Sequence, residues 1–155
     1  MKLLSLKGNK LTDGFVEEIL SCLMERIEEQ QNSKKFVNPV RKLDFSYNAL
    51  TSQVTQIVHK YVYSLDPFYS NNLNIKDEEC VSIDLSGNVI DDSGFISLSS
   101  TLNKANCVSD LALGYNYSVT RLGIVRFLAI MSNNCTLNHL DLSGLYIPYD
   151  LINPL

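Results

Sequence analysis

The chain of 155 residues has no tryptophan, two histidines, four prolines and seven glycines, and each scarcity narrows what it can be. His59 and His139 fall in different kinds of element, so no zinc-ligand spacing exists. Few Gly and Pro, with 45% hydrophobic residues, fit one well-packed domain over 1–155. There is no basic excess: 13 Lys and Arg face 17 Asp and Glu, for a net charge of -4, which leaves no footprint for nucleic acid or an anionic membrane. No apolar run spans a bilayer, and the opening Leu3-Leu4-Ser5-Leu6 stops at Lys7-Gly8-Asn9-Lys10, too soon for a signal peptide. The four cysteines form no C-x-x-C pair. Cys80 occupies an apolar slot, Cys22 a helix, and Cys107 and Cys135 each enter a strand, so buried free thiols are expected, and with them an intracellular, reducing compartment such as the cytoplasm. The sequons at Asn116 and Asn134 are discounted, because Asn116 falls at a position that should be buried.

What is present is a repeat. Cys80, Ile83, Leu85, Asn88 and Ile90 keep the register L-x-x-L-x-L-x-x-N-x-L, and so do Met1, Leu4, Leu6, Asn9 and Leu11, then Val40, Leu43, Phe45, Asn48 and Leu50. Val108, Leu111, Leu113 and Asn116 give a fourth copy, and Leu137, Leu140, Leu142, Leu145 and Ile147 a fifth with Leu145 in the Asn slot. The Asn positions are 39, 40 and 28 residues apart, which predicts a basic unit of 28 to 29 residues and two enlarged repeats. Residues two apart on a short strand face one way, so Ile83 and Leu85 point to a core while Asp84 and Ser86 point away. One strand and one helix cannot cover such a face, so the copies must stack. The Asn follows each strand where the chain turns inward, and a buried amide is tolerable there only when backbone groups satisfy it, as a ladder would.

Between the strands, Phe15, Ile19, Leu20, Leu23 and Ile27 recur at three and four residue steps and predict a first helix capped by Thr12 or Asp13. Its other side carries Glu17, Glu18, Glu25, Glu28 and Glu29, read as a solvated face. Residues 30–39 are polar, contain Lys34-Lys35, and supply a loop or a helix extension. A second helix is predicted over 52–64, ended by Asp66-Pro67, with Phe68 tucked under the loop that follows. Phe95, Ile96, Leu98 and Leu102 mark a third helix after Asp91-Asp92, and residues 120–132 a fourth that is apolar around much of its circumference. Residues 146–155 are too few for another helix and are expected to fold over the last repeat.

At this unit length, with Leu140-Asp141-Leu142-Ser143-Gly144 preceded by Asn134-Cys135-Thr136-Leu137, nearly the whole chain resembles the ribonuclease-inhibitor-like class of leucine-rich repeat proteins. The resemblance implies an α/β solenoid of about five repeats, with a parallel sheet on the concave side and helices on the convex side, and a role in protein binding. Members of the class include GTPase-activating proteins, actin-capping domains, innate immune receptors and effectors secreted by intracellular bacteria, so fold indicates class and not function. The chain departs from the pattern in its two enlarged repeats, in Leu145, and in lacking a recognisable cap at either end.

Catalytic and metal chemistry find little support in the register. Asp44, Asp84 and Asp141 fall in one outward column interrupted by Ala112, and adjacent strands about 4.8 Å apart could bring the first two together. Solvent and neighbouring hydroxyls satisfy such residues, no Ser or Cys has a base and orienting acid nearby, and neither enzyme activity nor any metal or cofactor is expected. The expected function is a protein-interaction scaffold whose concave face displays Lys42, Asp110 and His139 in one column, Asp44, Asp84 and Asp141 in the next, and Tyr47 and Tyr115 at the rim. The carboxylates would select a partner with a basic surface. Uncapped terminal repeats predict self-association, or further native sequence of a longer solenoid of which this is a fragment. Three alternatives stand beside this reading: a structural segment of a larger receptor, a host-directed effector of the sort suggested by the Asn-, Ser-, Lys- and Ile-rich composition, and a GTPase-regulating solenoid.

Overall fold

The computed structural model describes residues 3–33, 39–69, 80–105 and 107–147. Five strands, β1 (Leu3–Ser5), β2 (Lys42–Asp44), β3 (Val81–Asp84), β4 (Val108–Ala112) and β5 (His139–Asp141), form one parallel sheet in chain order. Parallel neighbours need crossovers. These are α1 (Asp13–Asn32), α2 (Val54–Tyr69), α3 (Asp92–Leu102) and α4 (Arg121–Met131), so the described residues form an α/β leucine-rich repeat solenoid of five strands and four helices. Packed helices sit about 8–10 Å apart and strands about 4.8 Å. The stack therefore splays on its helical side and the sheet lines the inside of the curve.

The predicted register places the core. Leu43, Phe45 and Leu50, then Ile83, Leu85 and Ile90, then Leu111 and Leu113 are all buried between sheet and helices, where each is worth about 1.5–3 kcal/mol. The Phe95 ring meets Phe127 edge-on at 5.6 Å between α3 and α4. The buried Tyr61 hydroxyl donates to the Val40 carbonyl at 2.6 Å. The end repeats are only half covered, with Leu4, Leu6, Leu140, Leu142 and Leu145 packed against the core from its margins.

Two hydrogen-bond ladders join the repeats. In the first, Asn88 Nδ2 donates to the carbonyls of Leu85 and, one repeat back, Phe45, while its Oδ1 accepts from the amides of Asn48 and Leu50. Asn48 serves Leu6, Asn9 and Leu11 in the same way, and Asn116 serves Leu85 and Ile90. The second ladder runs along the helix N-termini and was not foreseen. Asp13 accepts from the Thr51 amide and hydroxyl, Asp91 accepts from the Ser52 hydroxyl, and Asp92 accepts from the Thr120 amide and hydroxyl. Asp91 also caps α3 by accepting from the amides of Ser93 and Gly94.

Several expectations need correction. Of the predicted α1 stripe, Leu20 and Ile27 are buried and Leu23 packs against the core, but Phe15 is 48% exposed and the buried Val16 takes its place. Helix α2 continues through Asp66-Pro67 to Tyr69. The hydrogen bond that Pro67 cannot make would have gone to the carbonyl of Tyr63, a residue on the exposed side of α2 that water can reach. The enlarged second repeat thus spends part of its extra length on helix, as does the first, whose α1 has 20 residues against 11 in α3. Of the four cysteines Cys107 is buried, Cys80 is half-buried, and Cys22 and Cys135 are exposed, the first on the outer side of α1 and the second in the turn before β5. On α4, Ile124, Phe127 and Met131 are buried, but Leu122 is 55% exposed. The Lys34-Lys35 segment, the Phe68 side chain and the closing segment after Ile147 lie outside the described residues.

Candidate functional site

The outward side chains of the sheet fall into the predicted columns. Lys42, Ser82, Asp110 and His139 pair across the strands, and so do Ser5, Asp44, Asp84, Ala112 and Asp141. A bulge at Ser109 lets Val81 pair with Val108 while Ser82 pairs with Asp110, which keeps Asp110 on the outward face. Lys42 and His139 are exposed, and Asp44, Asp84, Asp110 and Asp141 are partly so. Six of the residues singled out from the sequence therefore line one face of the sheet.

Each carboxylate is held by serines. Asp44 Oδ1 accepts from the Ser46 amide and hydroxyl and its Oδ2 from Ser5, Asp84 accepts from the Ser86 amide, and Asp141 from the Ser143 amide and hydroxyl. At Asp110 the donor is the buried Ser109 hydroxyl. Partial burial pushes the Asp44 carboxyl up, but bonds from Ser46 and Ser5 with the Lys7 charge hold it below its ordinary value. Ser143 first, and the His139 charge last, do the same for Asp141. Asp44 and Asp141 are therefore ionised, oriented and acceptor-only at neutral pH. Among the described residues, no group of three or more His, Cys, Asp or Glu side chains is placed to hold a metal, and no helix is long and apolar enough to cross a membrane.

The rim has an order that the sequence reading missed. The residue before the Asn slot is Gly8, Tyr47, Gly87, Tyr115 and Gly144 in the five repeats, and all five have left-handed φ, at 71°, 55°, 66°, 58° and 74°. Glycine adopts this conformation freely, whereas an L-residue pays about 1–2 kcal/mol. The two tyrosines lie over the glycines that follow them: a Cβ on Gly87 would stand 2.6 Å from the Tyr47 ring, and one on Gly144 would stand 2.5 Å from the Tyr115 ring. Strands two repeats apart are separated by about 9.6 Å. With no side chain at Gly87, the Tyr47 and Tyr115 rings lean together across it to 6.3 Å. Tyr117 meets Tyr115 edge-on, also at 6.3 Å, and Lys7 Nζ sits 5.0 Å above the Tyr47 ring. Tyr47, Tyr115 and Tyr117 are 48%, 39% and 74% exposed. Alternation of Gly and Tyr immediately before the Asn slot was the signal within the sequence, but only with left-handed φ does it mean a ledge.

Comparison with known proteins agrees with this architecture. A family model described as "Leucine Rich repeat" matches residues 81–99, which contain β3, its Asn88 turn and most of α3. No curated protein matches the chain. Among solved structures, that of "Leiomodin-1 Actin-Binding Site 2 (ABS2)" superposes with a TM-score of 0.68 at 14% identity, over 92% of this chain and 70% of that one. At that identity the likeness is one of fold.

Proposed function

We propose that the chain is a non-catalytic, protein-binding repeat module that takes its partner on the inner face of the sheet, through Lys42, Asp44, Tyr47, Asp84, Asp110, Tyr115, His139 and Asp141. The observation that carries this reading is the Asp44, Asp84 and Asp141 column, in register on rigid strands and with each carboxylate fixed from its own side by serine. Such a column is organised before a partner arrives, so little side-chain entropy is lost on binding, and its charge favours a partner with a basic surface. A full helix in every crossover supports placement in the ribonuclease-inhibitor-like class. An actin surface is a defined candidate partner, suggested by the fold shared with an actin-binding segment of leiomodin-1.

The test is capture from lysate and cosedimentation with actin filaments, comparing the intact chain with a Tyr47→Ala, Asp84→Ala, Tyr115→Ala variant. The variant is expected to remain folded and to lose whatever the intact chain captures. If binding survives the triple change and is lost when Phe68 and Tyr69 are altered, the enlarged repeat is the site and the sheet is merely solvated. A chain that captures nothing in isolation is a structural segment, and acceleration of GTP hydrolysis would point to a GTPase regulator.

A further inference from the structure

We propose that the Tyr47–Tyr115 ledge anchors an arginine side chain on a basic segment of the protein partner, with the guanidinium lying across the two rings. This rests on the reading of the sheet as a protein-binding face and specifies what that face selects. The first support is the cost of the ledge: two tyrosines occupy left-handed positions that glycine fills in the other three repeats, and packing inside the repeat does not require them, since both rings are substantially exposed. Strain kept at an exposed site is a mark of function. The second is that the ledge already holds a cation, because Lys7 Nζ stands over the Tyr47 ring at 5.0 Å. The third is charge: Asp44 and Asp84 begin two residues, or about 7 Å, along the strands from Ser46 and Ser86 at the foot of the ledge, so a segment anchored there meets acceptors for its further cationic groups.

Arginine fits better than lysine for a physical reason. Its guanidinium is planar and weakly hydrated, so it can stack on both rings of a pair tilted 34° to one another, whereas an ammonium is a compact and strongly hydrated point charge.

The experiment is fluorescence anisotropy with a labelled nine-residue peptide of alternating Gly and Arg and its Lys counterpart. Rings are removed as Tyr47→Gly with Tyr115→Gly, substitutions that the left-handed backbone accepts, and a Tyr47→Phe, Tyr115→Phe variant keeps them. Deleting both rings is expected to weaken the Arg peptide by about five- to thirtyfold and to abolish the preference for Arg over Lys, while the Phe variant stays within about twofold. Changing Asp44, Asp84 and Asp141 to Asn should weaken both peptides alike. Unchanged affinity and unchanged Arg preference on ring deletion overturn the ledge, as does an intact chain that binds neither peptide. If the Asn variant still loses affinity when ring deletion does not, the sheet remains the binding face; if neither variant changes binding, the sheet reading falls too.

Discussion

Asn88 meets five backbone groups of its own and the preceding repeat, and a side chain there must both donate and accept to do so. Replacing it with Ala strands buried donors and acceptors, and Asn88→Ala is expected to cost about 1–3 kcal/mol, read as a lower melting temperature. Asn32→Ala, at the exposed end of α1, should leave the melting temperature nearly unchanged. At Gly87 the direction of strain reverses. Gly87→Ala forces a Cβ into left-handed backbone and against the Tyr47 ring, and should lower the urea midpoint by the equivalent of about 1–2 kcal/mol. Adding Tyr47→Gly removes the clash and should return part of the loss. These residues differ in legibility. The Asn ladder could be read from spacing because it repeats with the core, whereas the role of Gly87 depends on a dihedral angle and on a ring from the neighbouring repeat.

At the scale of elements, the strands were the legible part. Their side chains alternate with a period of two, so one apolar pair fixes which face is buried and aligns every outward column, down to the pairing of Asp44 with Asp84. Helices were less so. A stripe three or four residues apart leaves a one-position choice of phase, and on α1 Val16 rather than Phe15 takes the core. The second ladder was hidden for another reason: Asp13, Ser52, Asp91 and Asp92 each look like an ordinary helix cap, and their partners lie a whole repeat away. It makes stability depend on acidity. The Ser52 hydroxyl foremost, and then Ser93, hold the Asp91 carboxyl at about 2, below its ordinary 3.8. A depressed carboxyl stabilises the fold in full above its unfolded value and loses that contribution as pH falls toward its folded one. The stability difference between the intact chain and Asp91→Asn should therefore be constant above pH of about 4 and shrink between about 4 and about 2, as followed by denaturant unfolding across that range. In a Ser52→Ala background the shrinkage should still begin near about 4, but it should end at a higher pH and be smaller.

For the whole molecule, repetition means that the fold is read once and then copied. The five parallel strands in chain order follow from one register applied five times. What did not copy was not legible: the course of the enlarged repeats, the burial of individual cysteines, and the alternation along the rim. Among the described residues, strand β1 lies at an edge of the sheet, with Leu3 50% exposed and Leu4 and Leu6 half-buried. An open edge beside apolar side chains is a template for pairing. Light scattering is expected to show concentration-dependent association, reduced by Leu3→Lys; a chain that stays monomeric at high concentration would count against it.

Leu145 stands where the other repeats carry the ladder amide, and it has no oxygen to offer the repeat before it. Asn88 and Asn116 fasten the amides of Leu50 and Ile90, but for Ser118, the equivalent position one repeat further on and an exposed residue, the ladder slot holds Leu145, which offers no acceptor. The stack is thus laced by side-chain amides from its first repeat to its fourth, while the fifth is joined to the fourth by its backbone pairing and by Asn134. In deuterium exchange, Leu50 and Ile90 should be slow and Ser118 fast, with β5 opening well before the rest. Exchange should thus run in from one end like a seam whose last stitch was left out, and Leu145→Asn should tighten it.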